Sequence, residues 1–322
     1  MIQLPDFKEK QIVFVRTGKD ADISDLKFKN DNIAFYKDGK LLNQVSVHKV
    51  FALFIQGEAT FTSVLIDKLL GFGVSVFLMK RNFRVYAEFC AVAEGNYLLR
   101  SHQYAFNDEV AFARQLIKNK CFNQLELLKV YCPVLFKEKS KLRQFKDLEK
   151  KIDEAVDLET LLGIEGSFSK LYFTNLYKKI GWYRRMPRTK VDIPNLLLDM
   201  GYSLLFNFVD ALLNLHGFDT YKGIYHQLFF QRKSLTCDIM EPFRCLIDRA
   251  LLKAYNLNQV DERDFKLGKG HYVLEYKNSR KYLKIFLEVL MENKEDIFSY
   301  VKAFYFCVLN KKQDYPFYKM KC

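Results

Sequence analysis

Apolar positions change their rhythm once along this chain. Through residues 1–85 they come in short runs rich in branched and aromatic side chains, QIVFV, DLKF, NIAFY and NQVSV, which predict strands. Asp38-Gly39 stands between two of these runs and suits a tight hairpin turn that needs positive φ. TFTSVLIDKLL reads as a short helix, with Val64, Leu65, Leu69 and Leu70 near one side and Gly71 and Gly73 stopping it. VSVFLM then runs without alternation, as does a strand covered on both faces. From about Asn96 onward the spacing becomes three and four in DEVAFARQLIKNKCFNQLELL, DLETLLGIEGSFSKLYFTNLYKKI and PNLLLDMGYSLLFNFVDALLNLHGF. Asp157 suits the N-cap of the second helix, and Pro194 suits the first turn of the third. The expected fold is α+β: a small β-rich N-terminal domain over 1–85, a linker over 86–98 and a larger all-α domain over 99–322.

Composition agrees with a packed protein, being 49% hydrophobic and 16% aromatic with only 14 Gly and 6 Pro. Charge adds a hint about partners. With 51 Lys+Arg against 38 Asp+Glu the net charge is +13, which attracts polyanions; nucleic acid and anionic membrane both qualify. The N-terminal MIQLPDFKEKQIV has no apolar run of a signal peptide, and VSVFLM and YVKAFYFCVLN fall short of the ~18 residues that span a bilayer. Seven cysteines, at 90, 121, 132, 237, 245, 307 and 322, form no CxxC pair and sit mostly among apolar neighbours, as reduced core thiols do. These features predict a cytoplasmic protein with no membrane partner and no cysteine-rich zinc module.

Candidate chemistry lies in the second half. Glu165 shares a helical face with Phe168, Ser169 and Tyr172, so its carboxylate needs a cation or several donors. His226 closes the segment GFDTYKGIYH, bracketed by Gly217 and Gly223. Asp238 and Glu241 lie one helical turn apart, and Pro242 deprives the Asp238 carbonyl of its helical partner, which calls for a kink or a first turn. Each residue alone fits a structural role: Glu165 paired with a lysine or arginine, His226 as a cap, Glu241 paired with Arg244 or Arg232. Together they form a set of hard and intermediate donors from separate helices that suits Mn²⁺ or Mg²⁺, the histidine favouring Mn²⁺. HExxH, GxSxG and Walker motifs are absent, and GFG at 71–73 closes a helix. KKIGWYRRMPRTK, from Lys178 to Lys190, has six Lys/Arg and no acid, with Trp182 and Tyr183 beside them. It reads as a base-stacking segment or as a solvated loop around one buried Trp. KEKSKLR at 137–143 reads as a solvated helix face, and the basic NKKQDYPFYKMK as a mobile tail.

Three blocks, IEGSFSKLYF, NLLLDMGYSLL…HGFDTYKGIYH and RKSLTCDIMEPFRCLID, resemble in order those of the CRISPR spacer-acquisition integrase, the universal Cas nuclease-integrase. The likeness extends upstream through FIQGEATFTSVLIDKLLGFGVSVFLM and GNYLLRSHQY. It implies a β-rich N-terminal domain, an α-helical catalytic domain and a homodimer, two of which flank the small second universal Cas protein. It implies metal ligands at Glu165, His226 and Glu241, with Asp238 as a nearby second acid, and Mg²⁺ or Mn²⁺ as the cofactor. The implied activity is that of a DNA endonuclease and integrase. A 3′-hydroxyl on a short double-stranded spacer attacks a phosphodiester at a CRISPR repeat boundary. Arg232, Lys233 and Arg244, with Arg184, Arg185 and Arg188, are the candidates for holding DNA phosphates. Thr220, Tyr225 and Cys245 depart from the family pattern without touching a ligand position. A stand-alone structure-specific DNA nuclease and a non-catalytic basic scaffold are the competing readings.

Overall fold

The computed structural model describes residues 3–18, 23–93, 95–182, 184–268 and 270–321. After a short helix α1 (Leu4–Lys8) come β1 (Gln11–Thr17), β2 (Asp25–Lys29), β3 (Asn32–Lys37), β4 (Lys40–Ser46) and β5 (Val50–Gly57). Helix α2 (Ser63–Gly71), β6 (Ser75–Met79) and β7 (Val85–Phe89) complete the β-rich part. Asp38 and Gly39 turn the β3–β4 hairpin at φ of 49° and 78°. β2-β3-β4 form one antiparallel sheet; β1-β5-β6-β7 form a second, parallel except for β7.

That second sheet has no solvent face at its centre. Leu53, Ile55, Val76 and Leu78 point into a small core shared with Leu65 and Leu69 of α2 and Ile33 and Phe35 of β3. Phe54, Phe77 and Met79, on the other face, join the large core of the helical part. Period-two alternation thus sends neighbours into two different cores, which is why VSVFLM shows no polar positions. Val64, expected on the packed side of α2, is exposed instead.

The remainder is helical: α3 (Tyr97–Tyr104), α4 (Glu109–Tyr131), α5 (Lys139–Glu154), α6 (Leu158–Leu176), α7 (Ile193–His216), α8 (Ser234–Met240) and α9 (Arg244–Asn256). A small hairpin, β8 (Phe265–Gly268) and β9 (His271–Leu274), precedes α10 (Ser279–Glu292) and α11 (Lys294–Leu309). Asp157 caps α6 by accepting from the Thr160 amide, and Pro194 lies in the first turn of α7 behind the Asp192 cap. Helix α7 is long and apolar enough to cross a membrane, a window that the two shorter apolar runs did not reveal, but 83% of it is buried inside the protein. It is the core helix. At Gly201 a Cβ would meet Ile247 at 2.5 Å and Phe286 at 2.8 Å, so glycine lets α9 and α10 close on it.

One expectation needs correction, and for Trp182 one of the two open readings is decided. The C-terminal segment is docked: Tyr318 and Met320 are buried, and their backbones pair with the side chains of Asn119 and Asn123 on α4. An aromatic ring and a thioether give this basic stretch apolar area to bury, and two asparagines satisfy its amides. Trp182 is 5% exposed and packs edge-on against Phe173 and Tyr177, with Nε1 donating to Asp192 at 3.1 Å, so it offers no stacking face. Tyr183 lies outside the described residues. The six described cysteines are free thiols; Cys322 also lies outside.

Candidate active site

Four pieces of chain converge at one end of the helical part: α4, α6, the turn after α7, and α8 with the 3₁₀ turn Glu241–Phe243 that follows it. Pro242 forces this last feature. It ends α8 at Met240 and starts a tighter turn that leads into α9. The turn after α7 depends on glycine twice. Gly217 sits at φ 88°, and at Gly223 a Cβ would strike the His226 carbonyl and Ser234, each at 2.6 Å. The close approach lets three successive amides reach one buried carboxylate.

That carboxylate is Asp238. Its Oδ2 accepts from the amides of Ile224 (2.7 Å) and Tyr225 (3.1 Å), and its Oδ1 from the His226 amide (2.8 Å). His226 Nδ1 lies 2.7 Å from the same Oδ1. In the neutral ring this contact places the proton on Nδ1 and the lone pair on Nε2, and His226 lines the cavity. Asp238 is fully buried and its lone pairs are in use. It orients the imidazole and has none left for a metal. Burial opposes charge on His226, but the bond to Asp238 and the fields of Glu241, Asp238 and Glu165 outweigh it and raise its pKa.

Glu165 and Glu241 meet on a residue that pattern reading missed, Lys120 of α4. Its ammonium bonds Glu165 Oε1 and lies 2.7 Å from Glu241 Oε2. The other oxygens are held by Tyr225 and Arg244: Tyr225, expected to touch no ligand position, donates its hydroxyl to Glu165 Oε2 at 2.6 Å, and Arg244 Nε donates to Glu241 Oε1 at 2.9 Å. Burial would raise the Glu241 carboxyl, yet Arg244, Lys120 and His226 hold it at about 2. For Lys120, burial is likewise outweighed, by Glu165 and Glu241, and its pKa rises. Glu241 Oε2 is buried with the Lys120 ammonium at 2.7 Å, a contact that uses at most one of its two lone pairs and leaves it acceptor capacity. A signal for Lys120 was present: Asn119, Lys120, Asn123 and Gln124 make a polar stripe on a helix whose other buried residues are apolar, and all four are buried.

The site opens on a cavity of about 1370 Å³, larger than the ~300–1,000 Å³ of a small-molecule pocket. Glu165, His226, Glu241 and Arg244 line it, and so do Arg84, Lys170, Arg184, Arg188 and Lys190. Of the other expected cations, Arg185 also lines it but is bonded to Asn195 and Asp199. Arg232 is tied to the Gln227 carbonyl and Ser234 outside the cavity. Lys233 is pulled inward between Glu88 and Asp210.

Lys233 marks a second acidic cluster. Among the described residues, the tight group of metal-type donors is Glu88, Cys90 and Asp210, with ligand atoms within 4.8 Å of one another. The Glu165–His226–Glu241 set is wider, with Lys120 between its carboxylates.

The family model for CRISPR associated protein Cas1 matches residues 20–288. The chain belongs to the Cas1 family. A CRISPR-associated endonuclease Cas1 from Thermodesulfovibrio yellowstonii is 26% identical over 264 residues, 75% of this chain and 80% of that protein. The Cas1 fold is shared with two solved structures. A casposase bound to integration product has a TM-score of 0.80 at 18% identity, covering 96% of this chain and 94% of that one. A Cas6-RT-Cas1–Cas2 complex has a TM-score of 0.79 at 23% identity, covering 95% of this chain and 36% of that one. The β-rich region followed by a helical domain is therefore the Cas1 architecture.

Proposed function

We propose that this Cas1-family chain is a divalent-metal-dependent DNA integrase and endonuclease, and that Glu165, His226 and Glu241 hold the metal. One observation carries the reading: two carboxylates and an imidazole Nε2 freed by Asp238 line a single large cavity with Arg84, Lys170, Arg184 and Arg188. The donor set fits Mg²⁺ or Mn²⁺, since Glu165 and Glu241 already share one cation and Glu241 Oε2 keeps acceptor capacity. Bound there, the ion supplies Lewis-acid polarisation of a phosphoryl oxygen.

The chain's own residues do the rest. Asp238 fixes His226, Tyr225 and Lys120 fix Glu165, and Arg244 and Lys120 keep Glu241 ionised. Arg184, Arg188, Lys170 and Arg84 track the phosphates, and Arg244, bonded to Glu241 through Nε, offers its remaining N–H donors to the reacting one. Lys233 does not line the cavity and Arg185 is held by both Asn195 and Asp199, so these two leave this role. In strand transfer the spacer's 3′-oxygen bonds phosphorus while the target's P–O3′ bond breaks. The proton of the attacking hydroxyl ends on the departing 3′-oxygen, so the number of phosphodiesters is unchanged. Water in place of the 3′-hydroxyl makes the same site a nuclease, the activity named for the T. yellowstonii relative. The partners that fit are a double-stranded spacer, the CRISPR repeat, a second copy of this chain, and a Cas2 protein like that in the Cas6-RT-Cas1–Cas2 complex.

The test is a divalent-ion titration of spacer insertion into a supercoiled plasmid. His226→Ala and Glu241→Ala should each abolish insertion at every metal concentration while DNA binding stays within a few-fold. Full activity in either variant would sink the ligand assignment, and cutting without insertion would favour the stand-alone nuclease.

A further inference from the structure

Directly after His226 the chain does something that neither metal binding nor phosphate tracking requires. Leu228, Phe229 and Phe230 are 70%, 69% and 83% exposed, the only run of three consecutive exposed large apolar side chains among the described residues. Their stem is built. Arg232 donates from its backbone to Phe229 O at 3.0 Å and from its guanidinium to Gln227 O. Ser234 Oγ donates to the same Gln227 carbonyl at 3.2 Å, and Gln231 reverses the chain at φ 57°. The Arg232 guanidinium stands 5.4 Å over the Phe229 ring. A pinned stem that holds three apolar side chains in water marks a contact surface.

The place in the fold names the occupant. Three chain links of 3.8 Å put Phe229 within ~11 Å of His226, about three base steps along a strand. A phosphodiester at His226 therefore has its flanking bases within reach of this tip. The cavity beside it is lined with arginine and lysine, complementary to a polyanion. Aromatic and leucine side chains meet nucleic acid by stacking on exposed bases or wedging into a base step. We propose that Leu228, Phe229 and Phe230 form a wedge that engages bases beside the phosphodiester at His226 and holds them unstacked. Arg232 stiffens Phe229 and adds a cation at the backbone. The proposal rests on the strand-transfer reading above.

The test uses the full-length protein and a branched DNA whose 3′-hydroxyl strand abuts the junction, with 2-aminopurine one to three bases away. Binding of the wild type without added metal should raise 2-aminopurine fluorescence. Phe229→Ala/Phe230→Ala should remove the rise, and Phe230→Trp should keep it. Strand transfer to fully paired DNA should fall ~10-fold in the double alanine variant, the size of one lost base–aromatic stack. It should return to within about three-fold of wild type when those bases are mismatched in advance. A folding defect would not be rescued by unpaired DNA. Unchanged fluorescence together with unchanged transfer overturns the proposal. So does a double alanine variant that shifts to a smaller oligomer or loses binding to anionic vesicles while its response to DNA is intact. If the wild type neither joins nor cuts DNA, the strand-transfer reading fails, and the metal-free fluorescence still decides the wedge.

Discussion

Among the described residues, two lysines are each paired with two acidic side chains, and the two clusters differ in what each leaves unfinished. Around Lys233, Asp210 is fully buried and also accepts from Thr236 (2.9 Å) and Asn214 (3.1 Å). The neighbouring Cys90 thiol is pushed up to about 12 by burial and by the fields of Asp210 and Glu88. A protonated thiol is a poor metal ligand, and the Asp210 carboxylate is taken up by Thr236 and Asn214 as well as by Lys233. The cluster instead ties β7 to α7 and to the start of α8. Around Lys120, by contrast, the carboxylates line a large cavity, Glu241 Oε2 has only the ammonium beside it, and the neutral imidazole keeps an Nε2 lone pair. Closeness of ligand-type atoms is therefore the weaker criterion. An open face and spare acceptor capacity separate the proposed centre from an internal tie.

Four further experiments would break or sharpen this contrast. Asp238→Asn removes the carboxylate that orients His226. Activity should drop ~10–100-fold, with the metal titration moving to higher concentration. An unchanged titration would mean that Asp238 does not set the imidazole. Lys233→Ala should lower stability by ~3 kcal/mol, because Asp210 is left buried without its cation, and should leave the metal requirement unaltered. A chemical-denaturation curve reads the first effect and the ion titration the second, and a shifted requirement would return the Glu88 cluster to contention.

Asp248 shows what a buried acid does without a lysine. Tyr172 and Tyr202 donate to it, yet burial lifts its carboxyl to about 6. The folded protein thus binds this proton more tightly than the unfolded chain. The group's contribution is fully present below pH ~4 and is lost as pH rises through ~6, about 3 kcal/mol in all. Asp248→Asn should flatten that slope in melts recorded from pH 4 to 7. The smallest effect belongs to Tyr225→Phe, which takes one donor from Glu165 and leaves Lys120. Activity should fall only a few-fold by initial rates, and a loss as large as that of Glu241→Ala would make Tyr225 a participant in the chemistry.

Much of this was legible in the chain itself. Strand and helix followed from the change in apolar spacing, because each element buries one period of side chains. The Asp157 cap, the Pro194 first turn, the Asp38-Gly39 hairpin and the break at Pro242 depend on backbone rules that act within a few residues. Glu165, His226, Asp238 and Glu241 stood out because acids and a histidine among apolar neighbours must be accounted for. Long-range partners were not legible. That Lys120 joins Glu165 to Glu241, that Lys233 faces Glu88 and Asp210, that Trp182 turns inward and that the C-terminal segment lies on Asn119 and Asn123 are all facts of tertiary packing. A side chain's type states what it must satisfy once buried. Which distant residue satisfies it is decided only when the helices close.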